Sequence, residues 1–575
     1  MGPLQIHRII PNCRKFVLAF ILALTAGSTF STPTSYETEK LALTCKVWGF
    51  LKYYHPVVAK GQIDWDKALI KTLPFIKEAK TLKELNDLGL VAINSLGKIY
   101  LTSPDKDTNG RFEKNFDLGW TDNSQFFTAE MIDLLDKIEK NRYKSNGRLM
   151  QDVWNNSTLI FGEIVDSNML YPLEDWRLVD IFEVWNIVEY FYPYKYQLDQ
   201  SWDKTLLKIL PKFQNAPDTM SYHLAIREFC SSLDDAWTLT SSTYIADYFG
   251  HFQPSCKTAL VESKLIITGS FDEKKCSQDD LRIGDVITAV NGVPVDTIIA
   301  LNRPYGRWAN EAGANNWLAY SVLFGKTDTI RITYQRGDEA LEEKEIRLYD
   351  WQKMAAQAPK DTIVWGEIKW HMINDQIAFV EKQIMAPEEI RKMMRELGDA
   401  KAIIFDMRSY SWPFWQKMTP YLNRTRVPFS IDLEPDWKYP GKFIWQKPTE
   451  CGRYFDNPDG CFTGEVVLLV NEKTGAHTET TCMALQTYER CTVVGSQTLA
   501  SNGELSSIQF LSGVEFRMPW KGRFNADSTE FQRIGIVPDI YIEPTIDGIR
   551  KGEDEVLNAA IAYLNKKFLC TLRDD

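Results

Sequence analysis

One segment of this chain occurs twice, and that constrains its first half more than any other feature. Val47-Trp-Gly-Phe-Leu-Lys-Tyr-Tyr-His-Pro56 matches Val184-Trp-Asn-Ile-Val-Glu-Tyr-Phe-Tyr-Pro193. Asp64-Trp-Asp-Lys-Ala-Leu-Ile-Lys-Thr-Leu-Pro74 matches Ser201-Trp-Asp-Lys-Thr-Leu-Leu-Lys-Ile-Leu-Pro211 at the same offset, so the spacing between blocks is kept. Each copy has helical periodicity broken by proline, which predicts a small helical hairpin or bundle. Two copies are too few for a solenoid. The expectation is a duplicated N-terminal helical domain, with unit one at 32–165 and unit two at 166–252. The aromatic stripes VWxxxxYYxP and VWxxxxYFxP suit core packing better than the walls of a ligand site.

At 575 residues the chain is too long for one core, so several domains are expected. Its net charge of −11 argues against nucleic acid or an anionic membrane surface as the main partner. Arg8, Arg14 and Lys15 precede the apolar run Phe16–Ala26 and the small residues that follow. A basic start, a short apolar run and small residues read as a secretory signal peptide over 1–31. The run is too short to span a bilayer comfortably, so no stable membrane span is expected after cleavage, and the protein is expected to be exported to a periplasm or the exterior. Export permits disulfides. Cys451 and Cys461 flank a turn-rich segment and are the first candidates, Cys256 and Cys276 the second. No Cys/His spacing suggests a metal, and no cofactor is implied.

Residues 253–350 change character. Leu265–Gly269 and Asp328–Gly337 look like strands, and Asp280–Val295 carries alternating apolar residues with an Asn291-Gly292 turn. From about 362 strands and helices alternate. Ile377–Val380 reads as a strand, Pro387–Leu397 as a helix with proline at its start, and Ala402–Arg408 and Val466–Val470 as strands. A helix follows Gly475, and Val493–Gly495 is the next strand. This alternation predicts a mostly parallel, buried sheet whose ligands sit at the C-terminal ends of its strands. Asp406, Arg408, the 474–479 turn and the 495–503 loop all fall at such ends.

Within 253–350 the run IGDVITAVNGVPV resembles a PDZ domain, a module that captures peptide C-termini by adding a strand to a sheet edge. That resemblance points to Leu281, Ile283, Gly284, Ile287 and Val290 as the peptide-binding segment. Taken with the AIIFDMR strand, the VVLLVNEKTGAHTE block, the VVGSQT strand and the tail GIVPDIYIEPTIDGIRKGEDEVLNAAIAYL, the chain resembles the tail-specific, or C-terminal processing, serine peptidases. Their core is shared with tricorn protease. The implied fold is multidomain α/β: the helical duplication, the PDZ-like β-rich module and a ClpP/crotonase-like α/β core over 362–570.

In that family the block after the strand ends in Ser-x-x-Glu, and the serine is the nucleophile. Glu479 fills the glutamate position here, so the nucleophile position is Ala476. A lysine base would stand at Ser501, and a histidine base, as in tricorn-like members, at Trp237. The oxyanion region, Gly475 with Leu499 and Ala500, lacks the small glycine turn that the family places after Thr498. Thr478 and His477 are the remaining rescue candidates, although neighbours on a helix point about 100° apart. Acyl transfer needs a nucleophile, a base and oxyanion donors together. The resemblance therefore implies a peptidase that has lost hydrolysis but still binds polypeptide C-termini or extended peptides. The alternative is an active serine-type peptidase with a non-standard nucleophile and base. A third reading is a carbohydrate-binding envelope protein using the aromatic repeats.

Overall fold

The computed structural model describes residues 35–103, 111–144, 150–153, 158–161, 169–238, 240, 242–350, 370–381, 387–409, 413–453 and 460–574. The expected signal segment, 1–31, lies outside them. Among the described residues no helix is long and apolar enough to cross a membrane.

The first half is helical. Helices α1 (Tyr36–Tyr54), α2 (Trp65–Glu78), α3 (Leu82–Ser95) and α4 (Ala129–Lys140) are followed by α5 (Glu174–Phe191), α6 (Trp202–Gln214) and α7 (Thr219–Ser231). Local chemistry sets their starts: Asp64, Thr81 and Asp218 cap α2, α3 and α7 through side-chain oxygens that accept backbone N–H bonds. The prolines act differently from expectation. Pro56 does begin a new short helix, but Pro74 and Pro211 are carried inside α2 and α6. Trp48 and Trp65 each donate an indole N–H to the other's carbonyl, at 3.4 and 3.0 Å. Trp185 and Trp202 do the same at 3.1 and 3.0 Å, with their rings stacked.

A second unit is built on strands β1 (Cys256–Val261), β2 (Lys264–Ser270), β3 (Val286–Val290), β4 (Thr329–Gln335) and β5 (Glu342–Arg347), with helix α8 (Glu311–Ser321) packed against them. The antiparallel order β5-β4-β3-β2-β1 leaves β1 at an edge. Leu281, Ile287 and Val290 are buried in the apolar core of this unit. That corrects their expected role: a side chain inside the core cannot line a peptide groove. Ile283 is exposed, and Gly284 is held elsewhere, its carbonyl accepting from Arg550 Nε at 3.2 Å.

The second half carries two sheets. Strands β6 (Trp370–Met372), β7 (Ile377–Val380), β8 (Ala402–Asp406), β9 (Val427–Pro435), β10 (Glu465–Val470), β11 (Cys491–Gly495), β12 (Gly503–Gln509), β13 (Glu515–Asn525) and β14 (Ile540–Tyr541) alternate with helices α9 (Pro387–Leu397), α10 (His477–Leu485) and α11 (Glu555–Asp574). One sheet runs β6-β7-β8-β10-β11-β14, parallel except for β6. Its strands are near-continuous apolar runs because both faces are covered. The other sheet contains β9, β13 and β12 and packs on the N-terminal helices: Phe510 and Phe516 lie against Phe213 and Phe229 in one shared core. Within the 362–570 segment, β9, β12 and β13 thus share a core with the N-terminal helices.

All nine cysteines of the described residues are free, so the expected Cys451–Cys461 and Cys256–Cys276 bridges do not form. Cys451 is buried and meets Ala484 and Thr487, while Cys461 turns toward Pro420.

Arg408 ties the parallel sheet to the C-terminal helix. Its guanidinium donates to Asp406 and, at 2.7 and 2.8 Å, to both carboxylate oxygens of Asp554 just before α11. Asp406 and Arg408, expected either to pair or to line the cleft, are paired. Removing the guanidinium leaves two facing carboxylates unpaired. Arg408→Met is expected to cost about 2–4 kcal/mol, seen as a lower urea midpoint with an unchanged slope.

Candidate active site

The parallel sheet places its loops at the C-terminal ends of β8, β10 and β11. Thr474 donates its hydroxyl to the Met407 carbonyl at 2.7 Å, joining the β10 loop to the end of β8. The chain then turns sharply. Ala476 adopts φ 51°, ψ −117°, a region costly for any residue with a Cβ, and α10 starts at once. A non-glycine residue held in such a strand-to-helix turn is the backbone form of a nucleophile elbow. The side chain it presents is a methyl group.

Glu479 holds the turn from below. Its fully buried carboxylate accepts the Ala476 N–H at 3.2 Å, the Thr498 hydroxyl at 2.5 Å and the Ala500 N–H at 2.7 Å. This is the glutamate half of a capping box; a methyl cannot supply the other half. Ala500 also has positive φ, 55°, so Glu479 grips two strained points at once. Burial pushes the carboxyl up to about 8, against the donors that favour its anion.

The oxyanion region is closed. The Leu499 N–H bonds the Thr474 carbonyl at 2.9 Å and the Ala500 N–H is taken by Glu479. The Leu499 side chain covers Gly475, where an added Cβ would lie 2.5 Å from its Cδ1. The same leucine touches Gly313 on α8, and Asn310, which caps α8, donates to the Thr498 carbonyl at 2.8 Å.

Both expected base positions come to this place. Trp237 donates its indole N–H to the Ser501 carbonyl at 2.9 Å; an indole is a donor only and cannot take a proton. Ser501 is fully buried and turns its hydroxyl to Asp235 at 3.1 Å. Burial raises the Asp235 carboxyl to about 6 while it also accepts from Gln532 and from the Trp237 N–H. Thr498 is equally buried; it donates to Glu479 and accepts the Ile536 N–H. The rescue candidates go elsewhere. Thr478 is buried and donates to the Ser409 carbonyl at 3.2 Å. His477 faces solvent at the start of α10, and protein on one side of its ring, then the charge of Arg523, lowers its pKa.

Several groups here carry no local sequence signal. Asn502 donates to the Ala476 carbonyl at 3.2 Å and to Thr480 at 2.9 Å. Arg523, paired with Asp432, also reaches Thr480, at 3.2 Å. The Asn502-Gly503 dipeptide signals a turn and nothing more. Asp235 adjoins the expected Trp237, but its role depends on Ser501 and Gln532, hundreds of residues away.

Residues 440–542, which contain the elbow and the 495–503 loop, match the family model of peptidase family S41. That segment is similar to the S41 peptidases. Among solved structures it is similar to mature CPAF complexed with lactacystin, with a TM-score of 0.53 at 14% identity, covering 70% of this chain and 99% of that one. Mature CPAF alone gives a TM-score of 0.51 at 13% identity over 67% and 96% of the two chains. The photosystem II D1 C-terminal processing protease aligns at 15% identity and a TM-score of 0.38, over 66% and 98%. No curated protein sequence matches the chain. At these identities the likeness to the S41 structures concerns the fold.

Glu479 links this site to pH. With its folded pKa raised from 4.5 to about 8, the folded state keeps a proton that the unfolded chain releases. That contribution is fully present below pH 4.5 and is lost as pH rises through 8. Thermal unfolding of the wild type should therefore weaken over this range relative to Glu479→Gln, by up to about 1.4 kcal/mol per unit of pH.

Proposed function

We propose that this S41 relative is a silent peptidase: an exported protein that holds extended polypeptide, or its C-terminus, without cutting it. The observation that carries the reading is the methyl group of Ala476 at the strained turn, with Trp237 and Ser501 at the two base positions. Four hydroxyls around that turn are committed. Thr480 donates to the Ala476 carbonyl, Thr498 to Glu479, Ser501 to Asp235 and Thr478 to Ser409. The two hydroxyl–carboxylate pairs, Ser501–Asp235 and Thr498–Glu479, are buried away from any substrate carbonyl. Acyl transfer needs a reachable nucleophile within about 3 Å of a base.

Binding needs none of these groups. Residues 253–350 are read as a PDZ-like module whose free edge is β1, with α8 alongside it. Thr258 on β1 donates to the Ala319 carbonyl on α8 at 2.9 Å, which sets the strand–helix groove at one point. Strand addition there uses main-chain hydrogen bonds for affinity. The module touches the elbow through Asn310 and Leu499, so a captured chain end would lie beside the old catalytic cleft. One relative by fold is titled a C-terminal processing protease, which fits a ligand of this class.

The test has two arms. An unfolded casein-like substrate should show no turnover, and a serine-reactive phosphonate no label, even for Ala476→Ser, because both base positions stay empty. Peptides with a free C-terminal carboxylate should bind in the micromolar to millimolar range, and amidation should weaken them about tenfold. Turnover by the wild type would overturn the silent-peptidase reading. Equal affinity for amidated and free peptides would overturn PDZ-type capture.

A further inference from the structure

One apolar pocket among the described residues lies in the helical half, away from the elbow. It occupies about 450 Å³ between α1, α2, α3 and α4, walled by groups such as Val47, Trp48, Leu51 and Met131. That volume is in the range of small-molecule sites. The second helical unit explains why the space exists.

The offset that sets Trp48 opposite Trp185 and Trp65 opposite Trp202 also sets the start of α3, Leu82, opposite the start of α7, Thr219, and their caps Thr81 and Asp218 opposite each other. In that register the second unit fills its interior with Ile181, Ile209, Ile226 and Phe229, all buried. The first unit carries Thr44, Thr72, Gly89 and Ala92 at the same places, and all four line the pocket. Close-packed cores do not leave such space without cost, since each missing methylene forfeits contacts.

The pocket's chemistry limits its occupant. The wall hydroxyls are already satisfied on their own helices: Thr44 donates to the Lys40 carbonyl, Thr72 to Ala68 and Ser95 to Ala92. The Asn86 amide is satisfied by Leu82, Phe126 and Thr128. The occupant's body is therefore apolar. The one charged group in the lining is Lys71. Its counterpart in the second unit, Lys208, pairs with Glu228 at 3.0 Å, but the first unit has Val91 at the position of Glu228. Lys71 is exposed at the rim and has no ion pair among the described residues.

We propose that the first helical unit binds a long-chain aliphatic carboxylate, a fatty acid by class, with its chain in this pocket and its head group at Lys71. Small residues open the interior, and the missing acidic partner leaves one cation at the mouth for one carboxylate.

The test uses the delipidated full-length chain and cis-parinarate fluorescence, displaced by palmitate or by hexadecanol. Saturable binding is expected, with palmitate displacing the probe about tenfold better than hexadecanol. Ala92→Phe and Thr72→Ile install residues the second unit already uses, and each should weaken binding at least about tenfold while helical circular dichroism is unchanged. Lys71→Met should remove the advantage of palmitate over hexadecanol and leave hexadecanol unaffected. No saturable binding, or binding undiminished in the filled variants, would overturn the site. If Ala92→Phe does not fold, Thr72→Ile decides alone. Equal displacement by palmitate and hexadecanol in the wild type would overturn the carboxylate assignment.

Discussion

The buried carboxylate of Glu479 is the interaction on which the second half of the molecule depends. It gathers a strand-to-helix turn at Ala476 and a loop at Thr498 and Ala500, two backbone points that an L-residue adopts only under constraint. No hydrogen bond within either loop could hold both. A desolvated carboxyl with several donors converging on it can, because each donor lost would strand a buried polar group. The elbow thus persists with no reactive oxygen on it, since its shape is maintained from Glu479 and not from the residue at its tip.

The surrounding polar groups gather on two residues, Asp235 and Thr480. Asp235 receives Ser501, Gln532 and Trp237; Asn502 and Arg523 converge on Thr480; Thr480 returns to the Ala476 carbonyl. In a hydrolytic site such groups would face a cleft and change partners during reaction. Here they bond to one another. That arrangement rigidifies the backbone beneath the Ala476 turn.

Legibility in the sequence followed the range of the interactions. The parallel strands could be read from short apolar runs such as Val466–Val470, because burial on both faces leaves a local signature. The sheet of β9, β12 and β13 could not, since β9 pairs with β13 across a long stretch of chain and its partners on the helices lie further still. In the site, Ala476, Trp237 and Ser501 were assigned through a family pattern; the structure bonds Trp237 to Ser501, and Asn502 beside it to Ala476. Asp235 as an acceptor, Asn502, Arg523 and Gln532 are single polar residues with no period around them, and only folding places them within reach. Leu281, Ile287 and Val290 were expected in a groove from a family resemblance, which does not tell which way each side chain packs; the structure buries all three in a core.

Leu499 lies against two glycines, Gly475 at the elbow and Gly313 on the helix of the neighbouring β-rich unit. A Cβ at Gly475 would lie 2.5 Å from Leu499 Cδ1 and would have to displace it, whereas a Cβ at Gly313 would lie 3.3 Å from Cδ2 and ask only a small shift. These three positions form a steric unit that spans two parts of the molecule. In descendants of this chain a smaller residue at 499 is the permissive step before Gly475 can be replaced.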